Sequence, residues 1–315
     1  MRLIVADWGT TRFRAYLIDD GAIVDHVASP EGIASLKAGE HAGVFARQCR
    51  TLLEAAPDAP VLLVGMIGSR EGWVTVPYVP CPAGPVEVAG ALAPVELGDG
   101  RWGFIVPGLS CEPAPGAVDV MRGEETLAFG AGVHDGLLCL PGTHSKWVLM
   151  RDGRVERFAS YMTGEMYALL REHSMIGRPA TEPADEAGFT QGLDAAERNG
   201  GADRAEATRV GLLHLLFGAR AATVADRMPP ARLGPYLSGL LTGDEVNGAL
   251  SQFGRPEAVT IVANRPRAGL YETALARRGV RTAVVASEPA LIAGLGKIGA
   301  ALGGRRAGAS DAATG

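Results

Sequence analysis

Cysteine is scarce in this chain and badly placed for metal work. Four cysteines, Cys49, Cys81, Cys111 and Cys139, are scattered through 315 residues, and no two form a C-x-x-C pair. That excludes a zinc motif and a disulfide framework, and leaves reduced, buried thiols of a cytosolic protein as the reading. An excess of positive charge is also missing. The formal charge is -5, with acids spread along the chain, so nucleic acid is not expected as a partner. No apolar run approaches the ~18 residues of a membrane span. Asp7 comes too soon for the apolar region of a signal peptide, so none is expected. A soluble, cytoplasmic protein is expected, with no membrane partner. The phosphate-binding signature G-x-x-x-x-G-K-[ST] is absent as well.

What is present points to frequent turns around sizeable cores. Apolar residues make up 47% of the chain, with 43 Gly and 20 Pro. The length predicts about two domains. Residues 3–6 and 13–18 read as a strand hairpin, 22–28 as a third strand, 40–56 as an amphipathic helix ended by Pro57, and 61–68 as a buried strand. Residues 77–117 are rich in Pro and Gly, with short strands that include 102–107. Helix signals return at 123–130. Residues 137–150 repeat the opening pattern of strand, glycine turn and strand, and 155–162 offer another strand. Then come a helix at 164–172, a largely helical stretch over 190–253 interrupted by M-P-P, strands at 259–263 and 281–286, and helices at 269–278 and 288–302. The echo predicts a weak duplication of β-β-β-α-β-α units, with a boundary near 108–135.

Two turns carry the chemistry. In D-W-G-T-T (7–11), Gly9 lets backbone approach a ligand, and Thr10 and Thr11 add donors for phosphate oxygens. Asp7 cannot bind phosphate, but an acid beside it suits a hydrated magnesium ion. A plain hairpin turn is the alternative. In L-P-G-T-H-S-K-W (140–147), Gly142 is flanked by Thr143, Ser145 and Lys146. Two such turns, one per domain, are expected to face each other across a cleft and hold the β- and γ-phosphates of ATP. For His144 and Lys146, a solvated hairpin tip is the alternative.

The arrangement resembles the actin, hexokinase and Hsp70 superfold, and more narrowly the 2-dehydro-3-deoxygalactonokinase family. The likeness rests on DWGTTRFRAYL (7–17), GMIGSREGW (65–73), PYVPCPAG (77–84), IVPGL (105–109), DVMRGEET (119–126), LPGTHSKWV (140–148), TGEMYALL (163–170) and LSGLLTGDE (237–245). It implies an α/β, two-domain actin-like ATPase (ribonuclease H-like) fold, each domain with a mixed five-stranded β-sheet flanked by helices. A sugar-binding, first-phosphate lobe would span 1–130, with helix 288–302 returning to it. A nucleotide-binding lobe would span 131–287, and 303–315 would form a small, polar, disordered tail. The implied activity is a kinase (a transferase) of galactonate degradation. It would pass phosphate from ATP, with Mg²⁺, to the 6-hydroxyl of 2-dehydro-3-deoxy-D-galactonate, a small sugar acid; a homodimer stays open as the assembly.

Phosphoryl transfer needs charge neutralisation and a base. Asp7 is the candidate metal holder. Gly9, Thr10, Thr11, Gly142, Thr143, His144 and Ser145 are candidates for the nucleotide, with Arg12 or Lys146 to balance charge. The resemblance implies an adenine site at a turn after a late strand, where Ala263 and Asn264 stand in place of the family's glycines; Asn264 can supply a left-handed turn, and Gly239 either lines that pocket or serves tight helix packing. Glu124, Glu125 and Asp119 compete as the base, with helix-start charge the plain alternative for the two glutamates. For the substrate, Arg14, Arg70 and Arg122 offer planar forks for a carboxylate, Ser69 a hydroxyl, Trp73 a packing face, and Glu165 an acid or a helix cap. A kinase of another sugar or sugar acid, such as the gluconate epimer, is the alternative enzyme. An inactive sugar-binding regulator is the alternative class, although such regulators often carry an added DNA-binding domain that 3–6 being a strand leaves no room for. An actin-like or chaperone-like ATPase fits poorly in this length.

Overall fold

The computed structural model describes residues 2–98, 100–200 and 210–312. The predicted helical stretch at 190–253 therefore includes 201–209, which lie outside the described residues, as do 313–315 of the expected tail. In chain order the elements are β1 (Arg2–Trp8), β2 (Phe13–Asp19), β3 (Ala22–Ser29), α1 (His41–Gln48), α2 (Arg50–Ala55), β4 (Val61–Val64), β5 (Val79–Pro80), α3 (Pro85–Gly90), β6 (Ala93–Glu96), β7 (Trp102–Ile105), β8 (Leu109–Ala114), β9 (Ala117–Met121) and α4 (Glu124–Gly130). They continue with β10 (Gly136–Leu140), β11 (Ser145–Arg151), β12 (Arg154–Tyr161), α5 (Thr163–His173), α6 (Ala187–Gly200), α7 (Leu212–Val224), α8 (Pro230–Phe253), β13 (Ala258–Val262), α9 (Arg265–Ala276), β14 (Arg281–Val285) and α10 (Ser287–Ala312).

The chain divides into two compact units, one of residues 1–135, 148–158 and 285–315, the other of residues 136–147 and 159–284. In the first unit a sheet runs β3-β2-β1-β4-β7-β6. β1 pairs antiparallel with β2, placing Asp7 opposite Arg14, and parallel with β4. Leu3 to Ala6 and all of β4 are buried, as strands covered on both faces must be. Trp8, Phe13, Phe45, Leu52 and Leu63 pack in one core. β5, β8 and β9 form a separate three-stranded sheet. The five strands β12-β11-β10-β13-β14 form the remaining sheet. In the second unit Trp147, Val246, Ile261 and Leu275 fill one core, and Leu216, Leu233, Leu237 and Leu240 fill another beside it.

Several expectations need correction. The first sheet has six strands rather than five, because Ala93–Glu96 adds an edge strand. The helix expected over 40–56 is two helices that meet at Cys49. The last helix does not stop at 302: α10 continues to Ala312, through most of the stretch expected to be a disordered tail.

Candidate active site

In the first unit, the end of β1 delivers Asp7 and the start of β2 delivers Arg14. Their register makes them direct neighbours, and Arg14 Nη2 donates to Asp7 Oδ2 at 2.5 Å. Burial raises the Asp7 carboxyl above the ordinary range, and the charge and hydrogen bond of Arg14 act against that rise. Gly65, just past β4, has φ +92; a Cβ there would lie 2.9 Å from Trp8 O and 3.4 Å from Asp7 Oδ1. Only glycine lets the backbone turn this close to the carboxylate.

Arg122 reaches the same region from the end of β9. Its Nη2 donates to Val76 O at 2.7 Å, and its guanidinium lies 4.4 Å over the Tyr78 ring. Its Nε and Nη1 are buried with no hydrogen-bond partner. Glu124 Oε2 accepts from Arg122 N at 3.0 Å. Glu125 is fully buried, and its Oε2 accepts from Gly123 N at 2.7 Å while its Oε1 has no partner. Burial first, and then the neighbouring Glu124, push the Glu125 carboxyl up to about 8. On α10, Glu288 accepts from Tyr16 O–H at 3.1 Å, and burial pushes that phenol up to about 12. Asp7, Gly9, Arg14, Arg122, Glu124 and Glu288 line a cavity of about 210 Å³.

The second unit holds a cavity of about 250 Å³, lined by Gly142, Thr143, Thr163, Thr242, Arg267 and Tyr271 among others. The turn between β10 and β11 is pressed against the start of α5. Glu165 N donates to Thr143 O at 3.0 Å, and a Cβ on Gly164 would lie 2.3 Å from Gly142 O. Arg267 Nη1 donates to Pro141 O at 3.5 Å. Hydroxyls, backbone and an arginine together make a wall that suits an anion.

The sequence-predicted residues divide between these cavities and other places. Asp7, Gly9, Arg14, Arg122 and Glu124 line the first cavity; Gly142 and Thr143 line the second. Thr10, Thr11 and Arg12 are exposed and line neither. Ser145 and Lys146 turn inward, because β11 is buried on both faces: Ser145 Oγ bonds Tyr271 OH at 2.9 Å, and Lys146 Nζ donates to Ser160 Oγ at 2.6 Å. His144 Nε2 and Glu165 Oε2 pair at 2.6 Å, both partly exposed. Gly239 serves helix packing, since a Cβ there would lie 2.0 Å from Phe189 O. Ala263 is buried, and Asn264 is the exposed N-cap of α9, with φ -74 and ψ 150; it is extended and not left-handed.

The remaining substrate and base candidates also miss the first cavity. Arg70 is exposed and does not line it, and Ser69 Oγ donates to Glu71 at 3.4 Å. Trp73 stacks on His41 with ring centroids 6.1 Å apart and packs against the core. Asp119 sits on β9, where it accepts from Val120 N, and is not among the lining residues. Glu125 is sealed beneath the cavity lining. The sequence reading missed Glu288, Thr163, Thr242 and Arg267. Their only signal was a polar residue on a helix, and long-range packing brings them to the cavities.

Residues 7–298 match the model of the family described as 2-keto-3-deoxy-galactonokinase. A Rhizobium meliloti (strain 1021) protein named "Probable 2-dehydro-3-deoxygalactonokinase DgoK1" is 36% identical over 92% of this chain and 94% of its own. The Escherichia coli (strain K12) 2-dehydro-3-deoxygalactonokinase is 33% identical over 94% and 97%. A crystal structure of a Sinorhizobium meliloti protein assigned as a 2-dehydro-3-deoxygalactonokinase superposes with a TM-score of 0.80 at 32% identity, covering 95% of this chain and 97% of that one. The activator of 2-hydroxyisocaproyl-CoA dehydratase from Clostridium difficile, solved with bound ADPNP, shares the fold alone, with a TM-score of 0.50 at 13% identity over 97% of both chains. With a two-domain actin-like ATPase fold and a family match from residue 7 to residue 298, the chain belongs to the 2-keto-3-deoxy-galactonokinase family.

Proposed function

We propose that the protein phosphorylates the 6-hydroxyl of 2-dehydro-3-deoxy-D-galactonate with ATP, as a cytoplasmic step of galactonate breakdown. The observation that carries the substrate side is Arg122. The Arg122 guanidinium lines the cavity and offers the planar, charged fork that a carboxylate fits. Tyr78 under its face fixes the plane of the fork. Arg14 is engaged by Asp7, so Arg122 is the stronger carboxylate anchor of the two.

Glu124 is the base in this reading. Of the three acids considered, it is the one that lines the cavity, and its bond from Arg122 N holds it at the start of α4. It takes the proton of the 6-hydroxyl as the oxygen attacks the terminal phosphorus. Glu125, which cannot touch substrate, fixes Gly123 from below through its bond to that amide.

ATP is assigned to the second unit's cavity, where Gly142 and Thr143 take phosphate oxygens and Arg267 supplies positive charge. Asp7 would hold a hydrated Mg²⁺: Arg14 takes Oδ2, so Oδ1 is the oxygen a metal would use. When bound, the ion neutralises charge on the transferring phosphoryl group.

A coupled assay for ADP, run with 2-dehydro-3-deoxygalactonate and with its gluconate epimer, tests this function. The expected result is ADP formation that depends on the galactonate compound. Equal turnover without any sugar acid would sink the reading. Faster turnover of the gluconate epimer would replace the substrate and keep the chemistry.

A further inference from the structure

Glu245 lies on α8, 2% exposed, and does not line the second unit's cavity. It nevertheless touches α5 and α9, which do, and β11, which follows the glycine turn. It shares α8 with Thr242 and Leu241, which line the cavity one turn earlier. Trp147 Nε1 donates to its Oε1 at 2.8 Å, from β11 just past the glycine turn. Tyr271 OH donates to its Oε2 at 2.7 Å, from α9. Ser145, at the start of β11, bonds that same phenol at 2.9 Å, and the Thr163 side chain reaches the carboxylate from the start of α5. Burial raises the Glu245 carboxyl, and the hydrogen bonds from Thr163, Tyr271, Trp147 and Ser145 act against that rise; toward the ionised carboxylate, which accepts only, each of them donates. Isolated buried charge is costly, and a full set of donors is what makes it tolerable.

We infer that Glu245 is a positioning residue for the nucleotide cavity: one buried carboxylate locks the glycine turn, α5, α8 and α9 into a single wall without touching the ligand. The inference rests on the reading that this cavity takes ATP. It explains why an acid occupies a helix face that otherwise packs Val246, Ala249 and Leu250 into the core. It also explains the inward turn of Ser145, whose hydroxyl serves the hub and not the phosphate.

The test is calorimetric titration of a non-hydrolysable ATP analogue into the full chain, with Michaelis constants measured alongside. Variants are Glu245→Ala, Glu245→Gln and Trp147→Phe. Glu245→Ala is expected to weaken the analogue at least about tenfold, the equivalent of one lost charged hydrogen bond, and to raise KM for ATP similarly. KM for the sugar acid should stay within about twofold. Glu245→Gln, which keeps an acceptor for Trp147, should recover most of the loss. Trp147→Phe, which removes one donor from a buried residue that lines no cavity, should weaken the analogue in the same direction, and it decides the matter should Glu245→Ala fail to fold. Wild-type affinity in a folded Glu245→Ala or Trp147→Phe, or an equal rise in both Michaelis constants, overturns the inference. A wild type that binds the analogue but does not phosphorylate the sugar acid refutes the proposed function and leaves the titration valid. A wild type that does not bind the analogue overturns the positioning role with it.

Discussion

At the scale of single residues, Arg122 is the side chain on which substrate binding turns. A carboxylate held by this guanidinium gains a charged hydrogen bond, worth about 1.5–3 kcal/mol. Arg122→Ala is therefore expected to raise KM for the sugar acid by about 10–100-fold, with KM for ATP unmoved, in steady-state kinetics. Arg122→Lys should not restore it, because a point charge neither forks nor stacks on Tyr78. An unchanged KM would remove Arg122 from substrate binding. Glu125 supplies a second prediction, in stability. Its folded carboxyl is raised from 4.5 to about 8 by burial and by Glu124. The unfolded chain gives up that proton first, so this group's contribution is complete below about pH 4.5 and is lost as pH rises toward about 8. Thermal melts of wild type against Glu125→Gln should show a wild-type decline over that interval that the variant lacks; parallel melting curves would contradict it.

At the scale of elements, two helices meet through glycine. A Cβ on Gly130 of α4 would lie 1.7 Å from Ala290 O, and one on Gly294 of α10 would lie 1.8 Å from Thr126 O. Gly294→Ala is thus expected to cost about 1–3 kcal/mol by overpacking, read as a lowered melting temperature. Activity should fall with it, because α4 carries Glu124 and α10 carries Glu288. An unshifted melt would show that the helices part freely. These same elements mark what a sequence discloses. Strand hairpins with glycine turns were legible because apolar runs and turn residues are local signals, and they led directly to Asp7, Gly9, Gly142 and Thr143, whereas Arg14 was offered on the family resemblance. The edge strand β6 was hidden by Pro94, which an edge tolerates and a central strand does not. The break at Cys49 has neither Pro nor Gly to announce it. Ser145 and Lys146 looked like ligands because a turn precedes them; only burial of β11 on both faces turns them inward. Glu288, Arg267 and Glu245 reach their places through helix packing across long stretches of sequence, which no local pattern encodes.

At the scale of the whole molecule, each unit carries its own core and its own cavity. Among the described residues, no helix is long and apolar enough to cross a membrane. The central claim is a division of labour: the sugar acid belongs to the first unit's cavity and the nucleotide to the second's. Hydrogen exchange followed by mass spectrometry tests it most directly, on the full chain with each ligand added alone. The account predicts that the sugar acid slows exchange in residues 119–130 and 285–292, and that a non-hydrolysable ATP analogue slows it in 140–148, 163–171 and 238–245. Sugar-acid protection confined to the second set, or nucleotide protection confined to the first, would contradict it.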